Sequence, residues 1–328
     1  MATYYDIFGQ KVQYLSSDPS PVTTGQVWYN STSNTAKVQS VTTAGSWASG
    51  TSISPGLSGA GGAGTTTAFV LFGGTIPPYT TSSKLYDGTT WTSTGSLGTA
   101  RGGFDNGVGT QTAAQATGGV TPGVFYGNNE QFDGSTWTEV ADLNTARGSM
   151  AQSGQGSQTS AIVAGGTAPP APAPPGSTTV ETWDGTSWAA GTALPTANKS
   201  MAGAGVSNLF LTFGGAPYPS VGNTTNLWNG STWTSQPTLN TARQGLSGSG
   251  SSTLALAFGG EAAPYRAETE SFNGSTWTNE ASLSSARQAA AEGNSATAAL
   301  CVSGEGAPTA VEEWTGAGVP ETKTITTS

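Results

Sequence analysis

Short apolar runs alternate along this chain with long stretches of small polar residues, and the alternation repeats. FVLFGG from Phe69, AIVAGG from Ala161, LFLTFGG from Leu209 and LALAFGG from Leu254 each end on a glycine pair. A short apolar run bounded by glycine predicts a strand buried on both faces. The segment before each run is small and Gly-rich, as in GSMAQSGQ from Gly148 and QGLSGSGS from Gln244. It predicts an inner strand with neighbouring backbone packed close against it. A Pro-rich loop follows each run and leads to a third strand, such as TTNLW ending at Trp228. Asp-Gly or Asn-Gly comes next, and a fourth strand opens on Trp. Those dipeptides favour type I′ geometry and predict a tight hairpin between strands three and four.

The period is read from fixed marks. Glycine pairs stand at Gly73-Gly74, Gly118-Gly119, Gly165-Gly166, Gly214-Gly215 and Gly259-Gly260, with a decayed copy at Gly304-Glu305-Gly306. Trp91, Trp137, Trp188, Trp233 and Trp277 keep the same beat. Four strands in about 45 residues match a propeller blade. The chain from Pro55 to Ser328 holds six such units. We therefore expect an all-β fold with a six-bladed β-propeller over 51–328, behind a β-rich N-terminal segment over 1–50. The last hairpin is expected to run from Val311 into ETKTITTS. One surplus pair, AKVQSVTTAGSWAS from Ala36, has Trp47 where a repeat Trp would stand. It belongs either to the last blade or to a separate N-terminal unit. Stacked blades bury one another's faces. A Trp between them buries on the order of 150–250 Å², which is roughly 4–6 kcal/mol as an upper bound.

Composition refines this picture. Hydrophobic residues are 35% and glycines number 48, against a usual apolar share of about 45–50%. The 10 Trp, 9 Tyr and 10 Phe still point to a folded chain, since disordered segments are poor in aromatics. Five Lys and five Arg in a chain of net charge −9 cannot neutralise a phosphate track, so no nucleic-acid partner is expected. There is no His and one cysteine, Cys301, in the apolar run AALCVSG. That excludes an intrachain disulfide and the usual zinc ligand sets, and the thiol reads as a buried structural one. MATYYDIFGQKVQYL has no basic region followed by an apolar run, and no run reaches the roughly 18 residues that span a bilayer. Neither a secretory signal nor membrane insertion is expected. The acidic residues are scattered, without a recurrent pair at glycosidase spacing of about 5–9.5 Å, and no phosphate-binding Gly-rich loop is present. No catalytic residue, metal or cofactor is assigned.

With the glycine pairs, the aromatic-Asp-Gly-x-x-Trp segments and the TAR triplets located, the repeat resembles the Kelch family. Gly165-Gly166, Trp183, Trp188, Arg147 and Arg243 fall on its pattern. The resemblance covers about 55–316 and implies a propeller. The arrays WNGSTWT…LNTAR…LAFGG, the closing EEWTGAGVPETKTITTS and the N-terminal GQVWYNSTSNTAKVQ look like segments of Kelch-like proteins of tailed phages of marine bacteria, cyanophages among them. That likeness implies a virion component at a tail, fibre or particle surface, made in the host cytoplasm. Its partners would be other virion proteins, in a symmetric homo- or hetero-oligomeric assembly, and a glycan or protein of the host surface. Trp28 and Tyr29 are the anchoring candidates. Two rival readings stay open. Sialidase-type propellers carry Ser-x-Asp-x-Gly-x-x-Trp boxes, an Arg cluster and a Tyr nucleophile. Here Asp133 directly precedes Gly134, one place off that box, while Arg101, Arg147, Arg243 and Arg287 do recur. A cellular Kelch adaptor is the other. Galactose-oxidase chemistry, which uses His ligands, is excluded by the lack of histidine.

Strand order fixes which loops share a face. The connections from strand two to three and from strand four to the next blade lie together, opposite the Asp/Asn-Gly hairpins. The first set is the longer and carries Tyr79, Tyr126, Tyr218, Tyr265 and Arg266, with Arg101, Arg147, Arg243 and Arg287 nearer the axis. Rigid aromatic plates with polar tips on loops suit a saccharide or protein partner. The alternative is that the tyrosines stiffen the loops and the arginines bond carbonyls of neighbouring blades.

Overall fold

The computed structural model describes residues 12–22, 25–41, 44–104, 106–169, 176–217, 220–317 and 320–325. Every regular element among them is a strand. The chain divides into two compact units, Met1–Gly45 with Thr315–Ser328, and Ser46–Trp314.

The larger unit holds six four-stranded sheets among the described residues. The first runs Gly61–Thr65, Ala68–Phe72, Ser83–Tyr86, Trp91–Thr94, antiparallel throughout. The second (Val108–Thr110, Ala113–Thr117, Asn129–Phe132, Trp137–Val140) and third (Ala151–Gln152, Ala161–Ala164, Val180–Trp183, Trp188–Ala190) repeat that order. So do the fourth (Ala202–Val206, Leu209–Phe213, Thr225–Trp228, Trp233–Gln236) and fifth (Ser247–Gly250, Ala255–Phe258, Thr269–Phe272, Trp277–Glu280). The sixth consists of Ala291–Glu292, Leu300–Val302, Val311–Thr315 and, beside the last, Ser46–Ser49. Inner strands of neighbouring sheets touch, first to second, third to fourth, fourth to fifth, fifth to sixth and sixth to first. Gly109 N–H links second to third through the Gly154 carbonyl, at 3.2 Å. Repeated four-stranded antiparallel sheets meeting along their inner strands are the architecture of a β-propeller. The inner strands are small because nothing larger fits: a Cβ on Gly62 would lie 2.1 Å from Phe69 Cζ.

Each repeat Trp reaches back to the preceding sheet. Trp137 Nε1 donates to Ser83 Oγ (3.0 Å) and its ring meets Phe72 at 4.9 Å. Trp277 does the same with Thr225 Oγ1 (3.2 Å) and Phe213 (5.0 Å). Trp47 repeats it with Thr269 Oγ1 (2.9 Å) and Phe258 (4.9 Å), so Trp47 is the Trp of the sixth sheet. This differs from the expected hairpin running into ETKTITTS. That segment has no aromatic to fill the Phe258–Thr269 site, and Pro320–Ile325 pairs instead with Thr35–Val41 in the smaller unit. The larger unit accordingly begins at Ser46, where 51 was expected, and the chain after Trp314 returns to the smaller one.

The hairpins between strands three and four also differ from the two-residue form. Tyr86 pairs with Trp91, leaving four loop residues. Asp87 Oδ1 accepts the Thr89 and Thr90 N–H groups at 2.8 and 2.7 Å, an Asx-type turn, and Gly88 takes φ +93°. Asn229 Oδ1 accepts Ser231 and Thr232 N–H in the same way. The turn needs an acceptor oxygen and not a charge, which is why Asp and Asn interchange among the copies.

In the smaller unit Gln13–Leu15 runs parallel to Val27–Asn30, which pairs antiparallel with Thr35–Val41. Asp18 gathers it: its carboxylate accepts from Trp28 Nε1 (3.0 Å), Asn30 Nδ2 (2.7 Å) and Lys37 Nζ (2.6 Å). Trp28 is fully buried. Tyr29 is half-buried and stacks on Tyr14, whose side chain is 75% exposed.

Two outcomes are expected. Trp47→Ala should lower stability by about 3 kcal/mol, by the range for truncating a large aromatic, in urea unfolding at pH 7. Asp184 is held at about 2, from 3.8, chiefly by the Ser187 N–H and then by Thr186; Asp87 and Asp133 are lowered by matching donors from Thr90 and Thr136. A folded pKa below the unfolded one gives stability that is present above the unfolded value and lost as pH falls through the folded one. Changing all three to Asn should leave the pH 7 melting temperature within a few degrees. It should also flatten the loss of stability between pH 3.8 and 2, read by thermal scans across that window.

Candidate functional site

The four recurrent arginines are fully buried, at 0–1% exposure. Each lies on the connection from one sheet to the next and pairs with the second residue of the third strand ahead. Arg101 Nη1 meets Glu130 Oε1 at 2.5 Å and Arg243 Nη1 meets Glu270 Oε1 at 2.6 Å; Arg147 pairs with Glu181 and Arg287 with Glu312. Carbonyls take further guanidinium N–H groups: Arg101 Nε donates to Gly118 O (2.8 Å) and Nη1 to Thr99 O (3.1 Å), and Arg147 repeats both with Gly165 and Thr145. The second carboxylate oxygen accepts a backbone N–H from Gly98, Asn144, Asn240 or Ser284. Burial pulls the Arg147 and Arg243 pKa below the ordinary arginine range, and the facing carboxylate opposes it. None of the four presents its guanidinium to solvent, so these members of the predicted binding set are joints between sheets.

The glycine pairs belong to the same joint. Gly74, Gly119, Gly215 and Gly260 N–H donate to the carbonyls of Arg101, Arg147, Arg243 and Arg287 at 2.8–3.0 Å. In the sixth sheet the donor is Gly304, bonded to Leu57 O, so the decayed pair is Ser303-Gly304, one place before the Gly304–Gly306 reading. In the first sheet Leu57 thus stands for the arginine. Lys84 stands for the glutamate and donates to Ser54 O at 2.5 Å. In the fourth, Gly166 N–H bonds Asn198 O, so Asn198 stands for the arginine.

Tyr79, Tyr126, Tyr265 and Arg266 do lie on the long-loop face. Isolated bridges Ser58↔Thr75, Gly148↔Thr167, Gln244↔Glu261 and Gln288↔Glu305 tie each inter-sheet connection to a strand-two-to-three loop. Tyr79 is half-buried and pairs with Thr75. Tyr126 is half-buried, with its hydroxyl 3.2 Å from Thr121 Oγ1. Tyr218 lies outside the described residues. Tyr265 is 37% exposed and donates to Glu305 Oε2 at 3.1 Å, which raises its pKa. Arg266 reaches Glu268 at 3.4 Å. A cavity of about 480 Å³ opens on this face, with Leu57, Thr75, Ile76, Glu305 and Pro308 among its lining. Thr75 connects it to Tyr79 and Glu305 to Tyr265.

A solved structure, that of YjhT, is similar to this chain over 83% of its length and over 99% of YjhT's own, with a TM-score of 0.66 at 12% identity. The likeness is one of fold. No family model and no curated protein matches the sequence.

Sequence reasoning missed two sites. A cavity of about 510 Å³ opens at the opposite face, among the strand-one-to-two turns, with Thr65, Gln111, Thr112, Gln155 and Asn294 in its wall. Its only signal was a set of polar turns without glycine-pair marks. A smaller cavity stands at Asn198. The signal for it was present, since TANKS replaces TARGS, but its partner at Asn226 had no visible link. Cys301 is fully buried, and desolvation pushes its thiol up to about 11. Among the described residues no three His, Cys, Asp or Glu side chains gather, and no helix is long and apolar enough to cross a membrane.

Breaking one joint should be costly. Arg147→Ala strands the Glu181 carboxylate and should lower stability by about 3–5 kcal/mol. Arg147→Met with Glu181→Leu should be milder. Adding Asn144→Pro removes the orphaned N–H and should recover about 1 kcal/mol more. Denaturant titration of the three variants checks the order.

Proposed function

We propose that this chain is a non-enzymatic structural component of a phage particle, displayed at the tail or particle surface. Its larger unit is read as a six-bladed Kelch-like propeller, with the ring closed where Ser46–Ser49 completes the sixth blade. Its long-loop face binds a glycan or protein of the host surface. The smaller unit attaches it to other virion proteins. The observation that carries the binding role is the 480 Å³ cavity on the long-loop face, between the loop of Tyr79 and the loop of Glu305, to which Tyr265 donates. An apolar wall with a few convergent polar groups is the usual makeup of a ligand site. The virion role is supported by the repeat arrays and by GQVWYNSTSNTAKVQ, which resemble phage Kelch-like proteins. A separate compact unit outside the repeat supports the attachment role. Within it the exposed Tyr14, stacked on Tyr29, is a better contact than the buried Trp28.

The sialidase-type reading drew on the recurrent arginines. An anionic sugar needs guanidinium groups facing solvent, and all four are spent on glutamates.

Two experiments test the proposal. Particles assembled with a chain lacking 1–45 and 315–328 should lose it, by immunoblot of purified particles; retention overturns the attachment role. The full chain carrying Tyr79→Ala and Tyr265→Ala should bind cells that support the particle at least tenfold more weakly, with its melting temperature within a few degrees. Unchanged binding, or turnover of a sialoside at catalytic rates, rejects the binding reading.

A further inference from the structure

The fourth sheet departs from its siblings at four linked positions. Asn198 replaces the buried arginine. Asn226, second residue of the third strand, replaces the glutamate. Pro195 replaces the residue whose N–H meets the glutamate's far oxygen, a role held elsewhere by Gly98, Asn144, Asn240 and Ser284. Cation, anion and the donor that would be orphaned are therefore removed together. The fourth position lies across the strand pair. Glu130, Glu181, Glu270 and Glu312 face Ala116, Val163, Ala257 and Cys301 in register, whereas Asn226 faces Thr212.

This leaves a cavity of about 220 Å³. Its wall is apolar at Leu194, Pro195 and Met201 and polar at Thr196, Asn198 and Asn226. Asn198 is satisfied: Nδ2 donates to Gly214 O (3.0 Å), the bond that Arg101 and Arg147 make through Nε, and Oδ1 accepts Lys199 N–H (2.9 Å). Thr212 is not. Its hydroxyl is fully buried without a partner among the described residues, on the strand face it shares with Asn226. A buried hydroxyl left unpaired is disfavoured by about 1–3 kcal/mol. Simple decay of a salt bridge would leave an apolar residue here, as the siblings have.

We propose that this cavity binds the acetamido group of an N-acetylated amino sugar, resting on the reading of the long-loop face as the binding face. The lining residues carry no formal charge, so an ionised group entering there would meet no counter-charge. The volume is below the roughly 300–1,000 Å³ of drug-sized sites and suits one group or one ring. An acetamido group presents a planar N–H and C=O, taking the place of the planar ion pair. Thr196 O, which receives no guanidinium here, accepts the N–H. The Asn226 amide supplies a donor to the C=O, and the methyl packs on Leu194 and Met201.

The test uses the full chain with triacetylchitotriose as probe and maltotriose as the control lacking acetamido groups, read by saturation-transfer NMR and calorimetry. The native chain should bind the first at least tenfold more tightly, with saturation strongest on an acetyl methyl. Pro195→Asn, Asn198→Arg and Asn226→Glu together rebuild the sibling joint. This variant should keep its melting temperature and lose at least tenfold in affinity. Asn226→Ala, which removes the amide from the cavity wall, should weaken binding three- to tenfold with the melting temperature within a few degrees. No binding of triacetylchitotriose by the native chain, equal binding of maltotriose, or undiminished binding by either variant overturns the assignment. Cell binding by the native chain without acetamido binding overturns this cavity alone. Cell binding that survives loss of Tyr79 and Tyr265 is what overturns the wider reading.

Discussion

Six sheets stay in place only if each is fixed to the next, and a buried arginine–glutamate pair makes that joint four times. The arginine sits on the connection leaving one sheet, and its glutamate on the third strand of the following one. The arginine's own carbonyl is held by the glycine pair of the sheet behind. One residue thus ties two sheets through main chain and side chain at once. Desolvation can offset the attraction of a buried ion pair, so the joint need not add much net stability. Its effect is on register. A guanidinium that must meet one carboxylate and two carbonyls has a single placement, whereas Ala- and Gly-rich strands would tolerate several. The tryptophans then fill the faces that this register brings together.

The two sheets without the pair show what the joint requires. In the first, Lys84 turns outward to the Ser54 carbonyl and Leu57 fills the arginine's site with apolar bulk. In the fourth, nothing fills it, and a cavity stands there. Both solutions avoid a stranded charge, the outcome that is most costly inside a protein. They differ in the space they leave: Leu57 packs into the first, and the fourth stays open beside Asn198 and Asn226.

Much of the fold was legible because the repeat writes its strands in composition. Glycine pairs mark strand ends, and Trp marks each fourth strand. The long-loop face was legible too, since strand order alone places Tyr79, Tyr126 and Tyr265. Three features were not. The end of the chain could not be assigned, because Ser46–Ser49 and Val311–Thr315 are far apart in sequence and meet as neighbouring strands of one sheet, with Trp47 against Trp314. The Asp-Gly pairs suggested a two-residue hairpin, because the side-chain oxygen that widens the turn to four residues is invisible in a dipeptide. The arginines looked available, because nothing in a scattered set of acidic residues shows that a glutamate lies 25 to 34 positions ahead of each, facing it.

That last point alters the electrostatics of the whole chain. Four of its ten cationic residues are consumed inside the joints. Lys37 and Arg266 are paired with Asp18 and Glu268, and Lys84 is bound to a carbonyl. Each pair removes one charge of either sign, so the net −9 is unchanged while few cations are left to offset it locally, and that field opposes close approach by polyanions. Recognition of a neutral partner would rest on shape, aromatic plates and hydrogen bonds. The cavities on both faces have walls of threonines, amides and one glutamate, with no lysine or arginine among their lining. The same constraint that fixes the sheets to one another thus limits what the surface can bind.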